Sequence, residues 1–233
     1  MSAWAHALPL FEENFDESPP YREGERLPVG FQRISYGRWG SGFVEGFPIL
    51  VNGENYFSAP FSLVLENMGV EGEPERPADV WAAYGKDNLE EFATTKPTTF
   101  SCAFFMTRVD GSEDGCVSVR FATKGGNIIF SVDIGVGGEV GVTMGRDAME
   151  IVGSIKPEQW YFLEVILPDA EESGGRPVVN LYEAKETERG ERVGSAEGGV
   201  LKADLRYSAF VLSNALPHSK VFFDDFLVTT TDE

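Results

Sequence analysis

The chain has 233 residues, 42% of them hydrophobic and 18 of them Phe, which is enough apolar material for a substantial core. Its 38 Asp and Glu outnumber 19 Lys and Arg, giving a formal net charge of −19. Such a surface repels polyanions and lacks basic clusters, which excludes nucleic acid and anionic membrane surfaces as partners; neutral ligands, cations and basic partners are what it favours.

The opening "MSAWAHALPLF" has neither the basic nor the apolar region of a signal peptide, although Ala5-His6-Ala7 resembles the small-x-small end of a cleavage site. Residues 1–6 therefore read as a loose N-terminus or the remnant of a targeting segment. Residues 7–233 read as one domain, because no repeat, low-complexity tract or linker divides them. No apolar run reaches the ~18 residues of a membrane helix, so no membrane insertion is expected.

From there short β-rich runs follow one another: "LPLFEENF", "GFQRIS", "FPILVN", "FSLVLENM", "TTFSCAFFMTRV", "CVSVRFATK", "NIIFSVDI", "EVGVTMG", "QWYFLEVILP", "PVVNLYEAKE", "YSAFVLSN" and "KVFFDDFLVTT". Turn chemistry in "VNGEN", "DGSEDG", "KGGN", "GVGGE" and "PDAEESGGRP" separates them. About twelve strands in one domain predict two stacked antiparallel sheets. One stretch departs from the pattern. Residues 76–95, beginning "RPADVWAAYGKDN", combine a Pro near the start, an Asp cap and good helix formers, and predict a short helical insertion.

The two cysteines lie in "TFSCAFFMTRVDGSEDGCVSVRFATKG", which reads as a hairpin turning at Asp110–Gly115. In that register Val109 faces Cys116 and Cys102 faces Lys124. The two sulfurs then sit roughly 20 Å apart along the ladder, too far for a disulfide. Both cysteines are expected to behave as small buried hydrophobes.

Few residues offer nucleophilic chemistry. The only histidines are His6 and His218, the latter in the turn "NALPHSK", and there is no G-x-S-x-G. "DGSEDG" places Asp110, Ser112, Asp114 and Gly115 at the first, third, fifth and sixth positions of a calcium loop. The twelfth position, which needs a bidentate Glu, is Phe121, so a plain turn is the reading. Glycoside hydrolysis needs two carboxylates across a scissile bond, and no strand carries the E-x-D-x-x-E arrangement. Glu164 in "QWYFLEVIL" shares a strand face with Trp160 and Phe162, a lone acid beside aromatics.

Sugar-binding surfaces stack pyranose rings on aromatic side chains and ring them with hydrogen-bonding groups. Tyr36 and Trp39 in "SYGRWGSG", and Trp81 and Tyr84 in "VWAAYG", lie in Gly- or Ala-rich surroundings where an aromatic has less reason to be core. In the closing "KVFFDDFLV", alternation puts Val221, Phe223, Asp225 and Leu227 on one face and Phe222, Asp224, Phe226 and Val228 on the other. Both faces are apolar, so at least one Asp is buried, which demands a partner. That partner is either a hard cation or the backbone N–H groups of a bulge. The role of Asp225 stays open.

An N-terminal "ENFDE", a "GFQR" element, "PEQWYFLEVIL" and the closing "VFFDDFLVT" resemble the concanavalin A-like and carbohydrate-binding-module jelly rolls. The resemblance implies an all-β, two-sheet jelly roll. It also implies a structural calcium ion held by an acid after an N-terminal Phe and by the first Asp of the closing strand, which here are Asp16 and Asp224. Asp16 stands where Glu is commoner. The function it implies is a non-catalytic, lectin-like module that binds a polysaccharide or glycan in the extracellular or periplasmic space. The alternatives are a glycoside hydrolase or polysaccharide lyase on the same fold, or a structural or adhesion protein.

Overall fold

Alternation along a strand decides which side chains reach the core, and Thr98–Met106 shows it most plainly. Phe100, Cys102, Phe104 and Met106 enter the core, while Ser101, Ala103 and Phe105 point the other way. In the computed structural model, residues 7–13, 39–42, 49–53, 55–58, 62–67, 80–84, 98–109, 116–123, 127–145, 148–169, 174–201 and 209–231 are described. They contain fifteen strands. In chain order these are β1 (Ala7–Glu13), β2 (Trp39–Gly42), β3 (Ile49–Asn52), β4 (Ser62–Asn67), β5 (Val80–Tyr84), β6 (Thr98–Met106), β7 (Val117–Ala122) and β8 (Ile128–Ile134). After a 3-10 turn at Val136–Gly138 come β9 (Glu139–Thr143), β10 (Glu150–Ser154), β11 (Trp160–Leu167), β12 (Val178–Lys185), β13 (Glu188–Glu197), β14 (Ala209–Asn214) and β15 (Ser219–Thr231).

Two antiparallel sheets result, as the alternation predicts. The larger runs β13-β12-β11-β6-β15-β4-β3, with β1 also paired to β15; the smaller runs β10-β9-β8-β7-β14-β5-β2. Between them lies a continuous aromatic core. Phe130 stacks on Phe121, Phe121 meets Phe100 edge-on, Phe100 touches Phe210, and Phe210 stacks on Phe226. At one end β10 of the smaller sheet lies against β13 of the larger. Gly194 permits this approach, because a Cβ there would run into the carbonyl oxygen of Val152.

A buried polar knot ties β14 and β15 to β4. Asn214 Nδ2 donates to Leu65 O at 2.9 Å, and its Oδ1 accepts from Leu216 N and Ser219 Oγ, both at 3.1 Å. Asn67 Nδ2 returns the contact by donating to Asn214 O. His218 sits at the tip of this turn, exposed and in the left-handed region at φ 54°, as a turn residue is expected to be.

Two expectations change. β6 and β7 do not form a hairpin: β6 belongs to the larger sheet and β7 to the smaller. Both segments are apolar enough to fill the inner face of a separate sheet. The cysteines are nonetheless unbonded, with Cys102 buried in the core and Cys116 half-buried at the start of β7. Within the stretch expected to be helical, Val80–Tyr84 is strand β5, paired with β14 on one side and β2 on the other. Val, Trp and Tyr suit a pleated, two-sided pairing better than the flanking alanines suit a helix. The rest of residues 76–95 lies outside the described residues.

Candidate functional site

The outer face of the larger sheet is where charge and aromatic groups meet. At its centre β15 carries a bulge: Asp224 faces Ala103 on β6, Leu227 faces Ser101, and the register shifts by one residue between them. Asp225 takes the strain in the left-handed region, at φ 47°. The bulge resets the alternation. Val221 and Phe223 enter the core before it, and Phe226 and Val228 after it. The expected opposition of the two acids is therefore overturned, and Asp224 and Asp225 both reach the same loop.

The two acids meet residues 57 and 58, which follow β3 in the chain. Phe57 N and Ser58 N donate to Asp224 Oδ2 at 2.9 and 3.0 Å, Asp225 N donates to Asp224 Oδ1 at 2.8 Å, and Ser58 Oγ donates to Asp225 Oδ1 at 2.6 Å. Asp224 is fully buried. Burial, reinforced by the charge of Asp225, pushes its carboxyl up to about 8, against the opposing pull of the three N–H donors. Asp225 is raised as well, chiefly by its burial, with the charge of Glu12 on β1 adding to it. Of the two readings of a buried Asp in this strand, acceptance of bulge and loop N–H groups is what the geometry contains.

The donor chemistry also bears on a cation. Asp224 Oδ2 already accepts two hydrogen bonds, so Asp224 keeps capacity at Oδ1, and Asp225 keeps capacity at both oxygens. Among the described residues no His, Cys, Asp or Glu group of three is disposed to hold a metal. An ion at Asp224 therefore needs a ligand from elsewhere, such as Asp16, which lies outside the described residues.

The same face carries aromatic and polar groups on β11 and β12. Phe57 is buried, its ring 5.6 Å from Trp160 and 6.0 Å from Phe162. Trp160 Nε1 donates to Asn55 Oδ1 at 3.2 Å. Glu164, a lone acid in the sequence, is not alone here. Its Oε2 lies 2.7 Å from Arg189 Nη1, and its Oε1 accepts from Asn180 Nδ2 at 3.0 Å and from Tyr182 Oη at 3.3 Å. The guanidinium of Arg189 sits over the rings of Tyr182 and Phe162, 4.7 and 5.4 Å from their centroids. Sequence reading missed Tyr56, Asn180, Tyr182 and Arg189; the one available signal was the polar interruption of "VVNLYEAKETERGER" beside a predicted strand.

Of the aromatics singled out in the sequence, the register pairs two, Trp39 and Tyr84, and sets Trp81 three positions from Tyr84 along β5. Trp39 on β2 is the direct register partner of Tyr84 on β5, and Trp81 on β5 is paired with Gly42 on β2 and with Ser213 on β14. Tyr36 lies outside the described residues. His218, with Glu66, Asn67, Thr107, Ser219 and Lys220, lines an open cleft of about 500 Å³ that has no aromatic face. Among the described residues no helix is long and apolar enough to cross a membrane.

No family model matches the chain, and no curated protein matches it. Solved structures are similar in fold. A carbohydrate esterase from the Shiga toxin-encoding bacteriophage phi24B aligns at a TM-score of 0.56 and 10% identity, over 97% of this chain and 100% of that one. A protein of unknown function from Shewanella oneidensis MR-1 aligns at 0.54 and 12%, over 94% and 87%. A sialidase aligns at 0.54 and 13% over 83% of this chain, which spans only 17% of the sialidase's length. At these identities the likeness is one of fold.

Proposed function

We propose that the chain is a non-catalytic, lectin-like carbohydrate-binding module that works in the extracellular or periplasmic space and is stabilised by a calcium ion at Asp16 and Asp224. The observation that carries the reading is the register of β2 and β5. Two aromatic groups nominated separately from the sequence, one with Trp39 and the other with Trp81 and Tyr84, lie on adjacent strands at one edge of the smaller sheet. Aromatic residues paired across adjacent strands, as Trp39 and Tyr84 are, supply the residue type that stacks on pyranose rings. The esterase and the sialidase of similar fold, both named for carbohydrate chemistry, support the carbohydrate part of this reading.

Binding is favoured over hydrolysis by the state of the described acids. Glu164 is held by Arg189, Asn180 and Tyr182, while Asp224 and Asp225 accept hydrogen bonds from the loop, so each of these three acids already has a structural partner. For calcium, the support is two neighbouring carboxylates with no Lys or Arg partner among the described residues. Affinity electrophoresis in gels cast with soluble polysaccharides tests the function. Retardation in at least one gel, reduced by Trp81→Ala, is expected; unretarded migration in every gel refutes it.

A further inference from the structure

The loop at residues 55–58 is pinned by five hydrogen bonds, and yet Tyr56 within it is exposed to water. Asn55 is fixed from both sides, by Trp160 Nε1 on its Oδ1 and by Ser62 Oγ on its carbonyl at 2.6 Å. Phe57 and Ser58 are fixed on Asp224 and Asp225. Between these anchors Tyr56 is 44% exposed. Packing and hydrogen bonding account for Asn55, Phe57 and Ser58; neither accounts for Tyr56.

The Phe162 ring that this loop's Phe57 packs against also lies beneath Arg189, whose side chain is 41% exposed. Its orientation is set by Glu164 and by the two rings beneath it. Among the described residues Glu164 is its only acid, so the rest of its planar donor fork is uncommitted. An exposed aromatic, next in the chain to a residue packed on Phe162, and an oriented donor fork over that same ring thus belong to one sheet face. This is the pairing that a sugar meets with its apolar ring face and its hydroxyl oxygens.

We infer that Tyr56 and Arg189 form a glycan-binding surface on the outer face of the larger sheet, and that its ligand is a neutral glycan. The inference rests on the carbohydrate-binding reading and adds a second face and a ligand class to it. Charge decides the class. Arg189 and Glu164 neutralise each other, and the remaining field of a chain with net charge −19 disfavours polyuronates and sulfated or sialylated glycans. Because the Arg189 side chain and the residues on either side of Tyr56 are held before the ligand arrives, the ordering that accompanies binding is reduced.

The test is calorimetric titration of the full chain with a neutral β-glucan, a galactomannan, an α-glucan and a polyuronate, using wild type, Tyr56→Ala, Tyr56→Phe, Arg189→Gln and Trp81→Ala. Wild type is expected to bind a neutral polymer and not the polyuronate. Tyr56→Ala and Arg189→Gln are each expected to weaken that binding about tenfold, the scale of one aromatic or charge-assisted contact, while Tyr56→Phe retains most of it. Should Arg189→Gln unfold, the two Tyr56 variants carry the test on an exposed position. Neutral-glycan binding that is lost with Trp81→Ala but intact in Tyr56→Ala and Arg189→Gln overturns the inference and leaves the carbohydrate reading standing. Binding of the polyuronate alone overturns the ligand class. Binding of nothing overturns both.

Discussion

The backbone N–H of Phe57 donates to Asp224 Oδ2 at 2.9 Å although 167 residues separate the two in the chain. This bond joins the loop after β3 to the bulge in β15, and with it a buried acid to the outer face where Tyr56 and Arg189 lie.

Removing that acid should loosen the loop. Asp224→Ala leaves the N–H groups of Phe57, Ser58 and Asp225 without their acceptor, each costing about 1–3 kcal/mol where water does not replace it. Relief from desolvating this acid beside Asp225 offsets part of this. The expected net loss is about 2–4 kcal/mol, read as a lower urea midpoint, with faster proteolytic cleavage within residues 53–58 than elsewhere.

The same group should make stability depend on pH. Its carboxyl titrates near 8 in the folded chain and near its ordinary acidic value when unfolded. Between those values the folded state holds a proton that the unfolded state has released, so this contribution is complete at about pH 4 and is lost as pH rises through 8. Urea midpoints should therefore fall from pH 5 to pH 8 in the metal-free chain, and Asp224→Asn should flatten the slope. A midpoint that rises over that window contradicts the assignment.

Calcium reverses the argument, because a cation favours the ionised carboxylate. If the ion binds only the folded chain, its stabilisation grows with its concentration. Chelation should then lower the thermal midpoint of wild type and leave Asp224→Ala unmoved. A midpoint indifferent to chelator removes calcium from the account.

Asn214 is expected to matter more than its small size suggests. Asn214→Ala strips the acceptor from Leu216 N and the donor from Leu65 O in a buried site, a loss of about 3 kcal/mol by the cost of unmet buried polar groups. Asn214→Asp should not rescue it, since the Nδ2 donor to Leu65 O is gone.

Much of the fold was legible because the inner-face strands alternate. Phe100 to Met106, Phe130 to Ile134 and Tyr161 to Leu167 announce themselves by period alone. β13 carries "ERGERVGSAE", a polar edge strand without that period, and was silent. β5 read as helix because its two alanines outweighed a pairing that only the tertiary fold supplies. In β15 alternation holds up to Asp224 and fails after it, since a bulge residue at positive φ leaves no mark that period-2 reading can see. The adjacent acids were themselves the warning. Glu164 was visible, but its partners Asn180, Tyr182 and Arg189 lie on strands that only the sheet order brings alongside. Tyr56 hid in a turn-like stretch whose rigidity comes from residues more than a hundred positions away.

The most direct measurement of the central claim is saturation-transfer NMR of the intact chain with neutral oligosaccharides. The account predicts transfer from the protein to sugar ring protons, diminished by Tyr56→Ala or Trp81→Ala in a chain whose thermal midpoint is unchanged. Absence of transfer to every neutral oligosaccharide at millimolar concentration would contradict it.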